Sequence, residues 1–180
     1  MSAVCQPYTL REFNLKILLI LLILSKKIIE ADEAVVLPAV ILHDVGWKMI
    51  PEDQQVKAFG PKMQDADLRR VHEVESVRIA REILTAVGYD SRRREEILTI
   101  IDGHDSRETA LSLDDKLMKD SDKLWRFTAI GIGIDHQRFE IELGEYMMWL
   151  GKQIDKWMFT PEAVELARAS FAKAQMELLE

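Results

Sequence analysis

The sequence predicts an all-α fold, a single compact helical domain. Three observations carry that reading. Apolar residues recur at helical spacing from end to end. Capping residues, Pro and Gly punctuate these periodic segments. The alternation that marks strands is almost absent. At 180 residues the chain is about the size of one domain with a continuous core. No repeat, low-complexity tract or linker divides residues 1–180.

The elements follow in order. Thr9-Leu10-Arg11-Glu12 has capping-box spacing and starts a helix running to about Glu30. Asp32 caps the next, whose stripe Val36, Ala39, Val40 continues to His43, and Pro38 inside it should kink it or break one hydrogen bond. Residues 46–65 contain Pro51, Gly60 and Pro61 and read as a long irregular loop, which in a compact domain is often functional. A helix is expected over residues 67–87, stopping at Gly88, and another from Ser91 to Gly103. Ser112-Leu113-Asp114-Asp115 opens a helix to about Thr128. Residues 135–158 read as one helix, and Thr160-Pro161-Glu162 begins the last, with Pro at the first helical position.

Composition narrows the function. With 24 basic and 31 acidic side chains the net charge is −7, which disfavours a nucleic-acid polymer as partner. Small anionic substrates survive that argument, because a bound metal reverses the sign locally. Arg92-Arg93-Arg94 is then a solvated helix start rather than a nucleic-acid footprint. The one cysteine, Cys5, excludes an intramolecular disulfide and fits a reducing compartment, so a cytoplasmic location is expected. Residues 17–24 read ILLILLIL, far short of the roughly 20 residues a spanning helix needs. Arg11 and Lys16 precede that run, but Lys26 and Lys27 follow where a signal peptide would carry small residues. It reads as a buried helix, with a contact surface for a partner or membrane as the weaker alternative.

The chain has four histidines. His43 continues the stripe before it, His72 shares a face with Ser76, Ile79, Ala80 and Ile83, and His104 follows Ile97 and Ile101. Any one alone would be an ordinary satisfied core residue. Three inward histidines on three successive helices, with Asp44 beside His43 and Asp120-Ser121-Asp122 on an otherwise apolar helix, suit a divalent-metal site. His136 reads as structural, and Trp125, Trp149 and Trp157 as core or interface packing.

The segments AVILHDVGW, VHEVESVRIAREIL, IIDGHD and MKDSDKLWRF, in that order, resemble the HD superfamily of metal-dependent phosphohydrolases. The resemblance covers about residues 12–127, leaving residues 135–180 as C-terminal helices packed on that core. It implies a helical bundle with a metal site between helices, His43 and Asp44 as the paired ligands, and Asp122 as the final aspartate. It also implies that His72 and His104 serve a second metal or the substrate phosphate. With Asp44, these two histidines are the candidate catalytic residues. One departure concerns the histidine such proteins carry nearly thirty residues before the His-Asp pair. Here that position falls at about Asn14, in REFNLKILL. An amide is a poorer ligand than imidazole. The lysine that follows the glycine in some members is displaced to Lys48, behind Trp47. Helical phase alone favours Asp120 over Asp122, so Asp120 is kept as a group behind the ligands.

The expected activity is hydrolysis of a small phosphate ester, a nucleotide or related metabolite, by one or two divalent ions (Mn, Fe, Mg, Ni or Zn). Lys48, Arg107 and Arg126 are candidate phosphate contacts, as cations next to motif residues. A homodimer is compatible with the sequence, and no membrane partner is expected. The rival is a degenerate HD domain that binds metal or nucleotide without catalysis, which Asn14 favours. Asn14→His should therefore raise metal affinity, measured by chelator competition, and any metal-limited turnover with it. A flat or lower affinity would show that Asn14 does not face the site, and a rise without turnover would favour the rival.

Overall fold

The structure, a computed structural model, is described over residues 30–179. The helix expected up to Glu30, with Cys5, Asn14 and the apolar run 17–24, lies outside those residues. The described residues form helices and turns with no strand. In order they are α1 (Glu33–Leu42), a 3-10 turn (Val45–Met49), α2 (Glu52–Gln55), a 3-10 turn (Val56–Ala58), α3 (Ala66–Ala86), α4 (Ser91–Ile101), α5 (Leu113–Leu124), a 3-10 turn (Trp125–Phe127), α6 (Ala129–Arg138), α7 (Leu143–Gly151), α8 (Ile154–Trp157) and α9 (Pro161–Leu179). No single helix among them is long and apolar enough to cross a membrane.

Side-chain caps set most of the starts. Asp32 accepts from Ala34 N, Asp65 from Asp67 N and Leu68 N, Asp90 from Arg93 N, Ser112 from Asp115 N, and Thr128 from Gly131 N. Each such cap contributes about 1 kcal/mol. Gly88 (φ 67°) and Gly103 (φ 84°) follow α3 and α4 in the left-handed region that ends helices. Pro38 does not break α1. Its ring removes the N–H that would bond Ala34 O, and the Tyr89 hydroxyl donates to that carbonyl instead, at 2.5 Å.

The core runs through the bundle. Val35, Val36, Ala39 and Val40 of α1 pack with Ile97, Leu98 and Ile101 of α4 and Leu117 and Met118 of α5, and Ala163, Ala167 and Ala174 of α9 join the same cluster. α1 packs against α4 and α5, while α3 packs against the first 3-10 turn and α4. These contacts bring the end of α1, the middle of α3, the loop after α4 and the end of α5 together.

Two elements differ from expectation. Residues 46–65 are not one irregular loop but hold two 3-10 turns and α2. Gln55 organises this stretch by donating to Trp47 O and Ile50 O. Gly46 sets it against α3: its N–H donates to Ser76 Oγ at 2.8 Å. A Cβ there would stand 2.1 Å from His72 O and 2.5 Å from Ser76 N, so only glycine permits the approach. The helix expected over residues 135–158 is three. It starts earlier, at Ala129, because Thr128 caps there. It breaks after Arg138, where Glu140 takes φ 53° and the Glu142 carboxylate caps α7. It breaks again between Gly151 and Ile154.

Asp120 also has another role than the one its phase suggested. Its carboxylate accepts from Phe159 N (2.7 Å), Thr160 N (3.0 Å) and Thr160 Oγ1 (2.7 Å), fixing the start of α9 to α5. It is a clamp between helices and not a group behind the metal ligands. Burial pushes its pKa up to about 6, against the pull of those three donors. Asp120→Ala would strand the donors, and stability should fall by about 2–4 kcal/mol in urea unfolding. Bound metal should be unaffected, and loss of metal without loss of stability would contradict the clamp.

Candidate metal centre

The end of α1 places the first candidate ligands. His43 closes the helix, and its Nδ1–H donates to Val40 O at 2.7 Å, turning Nε2 inward. Nε2 lies 3.2 Å from Asp44 Oδ2 and 3.5 Å from Asp122 Oδ1, yet this buried nitrogen has no hydrogen-bond partner. Burial opposes charge on His43, but the two carboxylates outweigh it and hold its pKa well above the ordinary histidine value. A positive charge is thus demanded at this point, and a divalent ion supplies one as an imidazolium does.

On the other side of Asp44 stand His72, from α3, and His104, from the loop after α4. Asp44 Oδ1 is 3.7 Å from His72 Nε2 and 3.5 Å from His104 Nε2. His104 Nδ1–H donates to Ile101 O at 2.9 Å, so its Nε2 keeps a lone pair, which faces His72 Nε2 at 3.1 Å. Burial and the neighbouring His104 lower the His72 pKa to about 4, keeping it neutral and able to ligate. Trp47 holds this arrangement from one side: its ring stacks on His72 with centroids 4.0 Å apart, and its Nε1–H donates to Asp44 Oδ1 at 3.0 Å.

Asp105 completes the second half, its Oδ2 lying 3.7 Å from both His72 Nε2 and His104 Nε2. Two groups of side chains have the spacing to hold an ion: His43 with Asp44 and His104, and His72 with His104 and Asp105. The donor set of imidazole and carboxylate suits a divalent transition ion, and the unpartnered His43 Nε2 fits that use. Asp122 reaches the first group through His43. Lys123 pairs with both Asp122 and Asp105. Burial opposes its charge, but the two carboxylates prevail and raise its pKa. Asp105 in turn is drawn down to about 2, the charge of Lys123 overcoming its burial.

The loop that carries His104 and Asp105 is held by two buried groups. Glu73 accepts from Asp105 N (3.0 Å), Ser106 N (2.7 Å), Ser106 Oγ (2.7 Å) and Arg70 (3.0 Å). Lys119 donates to the carbonyls of Gly103 (3.0 Å), His104 (2.8 Å) and Arg107 (2.9 Å). Burial lowers the Lys119 pKa to about 8. Neither residue was singled out in the sequence, because a buried Glu or Lys has no signature apart from its partners. Asp105 did have one, since His104-Asp105 repeats the dipeptide His43-Asp44. Trp47 and Lys123 were visible only as neighbours of motif residues.

A cleft of about 640 Å3 opens beside the centre, with His104, Asp105, Lys123 and Arg126 in its lining. Arg107 and Arg126 both line it, each held by a carboxylate: Arg107 by Asp115 and Arg126 by Asp135. Lys48 is exposed on the 3-10 turn and does not line the cleft. Gly46 seats the turn so that Trp47 faces His72 in its place. Asn14 falls outside the described residues. His136 bonds Ile141 O through Nδ1 at 3.2 Å, within the turn after α6.

Asp44→Ala removes a carboxylate of the first group, so divalent metal retained on purification should fall in elemental analysis by the ion that His43 and Asp44 hold. Asp105→Ala touches one group and should leave the ion held by His43 and Asp44. Equal metal in wild type and Asp44→Ala would show the ligands to be misassigned.

No curated protein and no solved structure matches the chain. The model of the HD domain family matches residues 14–126, more than half of the chain, and spans every histidine and aspartate of the centre. The chain belongs to the HD domain family, within the superfamily of metal-dependent phosphohydrolases.

Proposed function

We propose that this protein hydrolyses a small phosphate ester, with a nucleotide or related metabolite as substrate. The observation that carries the reading is Asp44, whose two oxygens face separate histidine groups beside a cleft lined by cations and aromatic rings. A bound divalent cation acts as a Lewis acid toward a phosphoryl oxygen and lowers the pKa of water. The chain supplies the rest. His43, Asp44 and Asp122 would hold one ion, and His72, His104 and Asp105 a second. Lys123 keeps Asp105 and Asp122 ionised and in place. Arg126, positioned by Asp135 over the Phe59 ring, offers remaining N–H donors to the phosphate. Phe59, Phe139 and Trp149 give the cleft an apolar wall against which a planar group can pack.

The second reading, a domain that binds metal or nucleotide without turnover, is favoured by Asn14 alone. Turnover separates the two. Protein loaded with Mn2+ should hydrolyse members of a panel of phosphate esters, releasing phosphate from a phosphomonoester, or an alcohol and a phosphomonoester from a phosphodiester. Chelation or Asp44→Ala should cut the rate about 10³-fold, the scale of several kcal/mol of lost charge stabilisation. Metal-dependent binding of phosphate without turnover of any panel member would establish the second reading instead.

A further inference from the structure

The cations lining the cleft are mostly committed to other groups. Arg107 pairs with Asp115, Lys119 with three carbonyls, Lys123 with Asp105 and Asp122, and Arg126 with Asp135. Arg69 differs. It lines the same cleft, and its Nε is buried without a hydrogen-bond partner. No carboxylate among the described residues pairs with it, whereas the adjacent Arg70 is taken by Glu73 and Asp102. A buried N–H left unpaired costs free energy, and its presence at a cavity wall points to an acceptor that arrives from solution.

Position says which part of a ligand would supply that acceptor. Arg69 and His72 are three residues apart on α3, which places them on one face, one about a turn (~4.5 Å of rise) beyond the other. An anionic group at the metal centre therefore leaves Arg69 to reach a neighbouring group on the same molecule. A guanidinium meets phosphate or carboxylate with paired N–H donors. We infer that Arg69 is a specificity-determining residue that binds a second anionic group, phosphate or carboxylate, of a substrate whose first phosphate lies at the metal centre. The inference rests on the phosphohydrolase reading and narrows its substrates to compounds bearing two anionic groups.

Calorimetric titration of the Mn2+-loaded protein with inorganic phosphate, pyrophosphate and phosphoglycolate tests it. Pyrophosphate carries a second phosphate and phosphoglycolate a carboxylate, so whichever binds more tightly than phosphate identifies the group. Arg69→Gln should weaken that ligand by about tenfold to a hundredfold, the scale of a lost charge-assisted hydrogen bond, and move phosphate by less than about twofold. Arg69→Lys, which keeps the charge but loses the paired donors, should fall between. Equal affinities in wild type and Arg69→Gln would overturn the proposal, as would an equal loss for all three ligands. If wild-type protein binds phosphate no better with Mn2+ than without it, the phosphohydrolase reading fails first, a result separable from any effect of Arg69.

Discussion

Crowded negative charge is the constraint on which the rest of the structure depends. Asp44, Asp105 and Asp122 converge from α1, the loop after α4 and the end of α5, and two of them share Lys123 as their cation. Carboxylates this close repel unless positive charge stands between them, and burial makes the repulsion stronger. Protonation of His43 meets part of the demand, and a divalent ion would meet more of it. The surrounding contacts prevent the alternative, in which the elements simply move apart. Gly46 brings the turn after His43-Asp44 against α3, Glu73 and Lys119 anchor the loop of His104 and Asp105, and Asp120 locks α5 to α9. Binding strength at the centre is thus prepared by groups that do not face it.

That division explains what the sequence revealed and what it hid. The helices of the bundle were legible because their caps and apolar stripes are local, and Asp32, Ser91, Ser112 and Pro161 mark starts where the structure has them. His43, His72 and His104 were legible because helical phase turns them inward. The break at Glu140 was not, since the apolar spacing continues across it and the turn depends on a left-handed residue and on the Glu142 cap. The choice between Asp120 and Asp122 was equally closed to periodicity. Both are buried on α5, and their uses differ only through what α9 and α1 bring to them.

Under the proposed function, the cleft would relate the centre to a substrate through a similar economy of charge. A chain of net charge −7 does not draw anions to its surface at large, so recognition must come from cations placed locally. Arg107 and Arg126 are each braced by a carboxylate, which fixes geometry at the expense of net charge. Arg69 is not braced, and it stands on the helix that also carries His72. Aromatic rings from Phe59, Phe139 and Trp149 supply the wall opposite in character, apolar and flat. A ligand that is anionic at one end and planar at the other would use both.

Anomalous diffraction from crystals soaked in Mn2+ addresses the central claim most directly, because it locates the ion without depending on turnover. The account predicts a peak between His43, Asp44 and Asp122, within about 2–2.5 Å of their ligand atoms, and a second, where occupancy allows, beside His72, His104 and Asp105. Density for manganese only elsewhere on the protein, with His43 Nε2 still unbound at saturating metal, would contradict it.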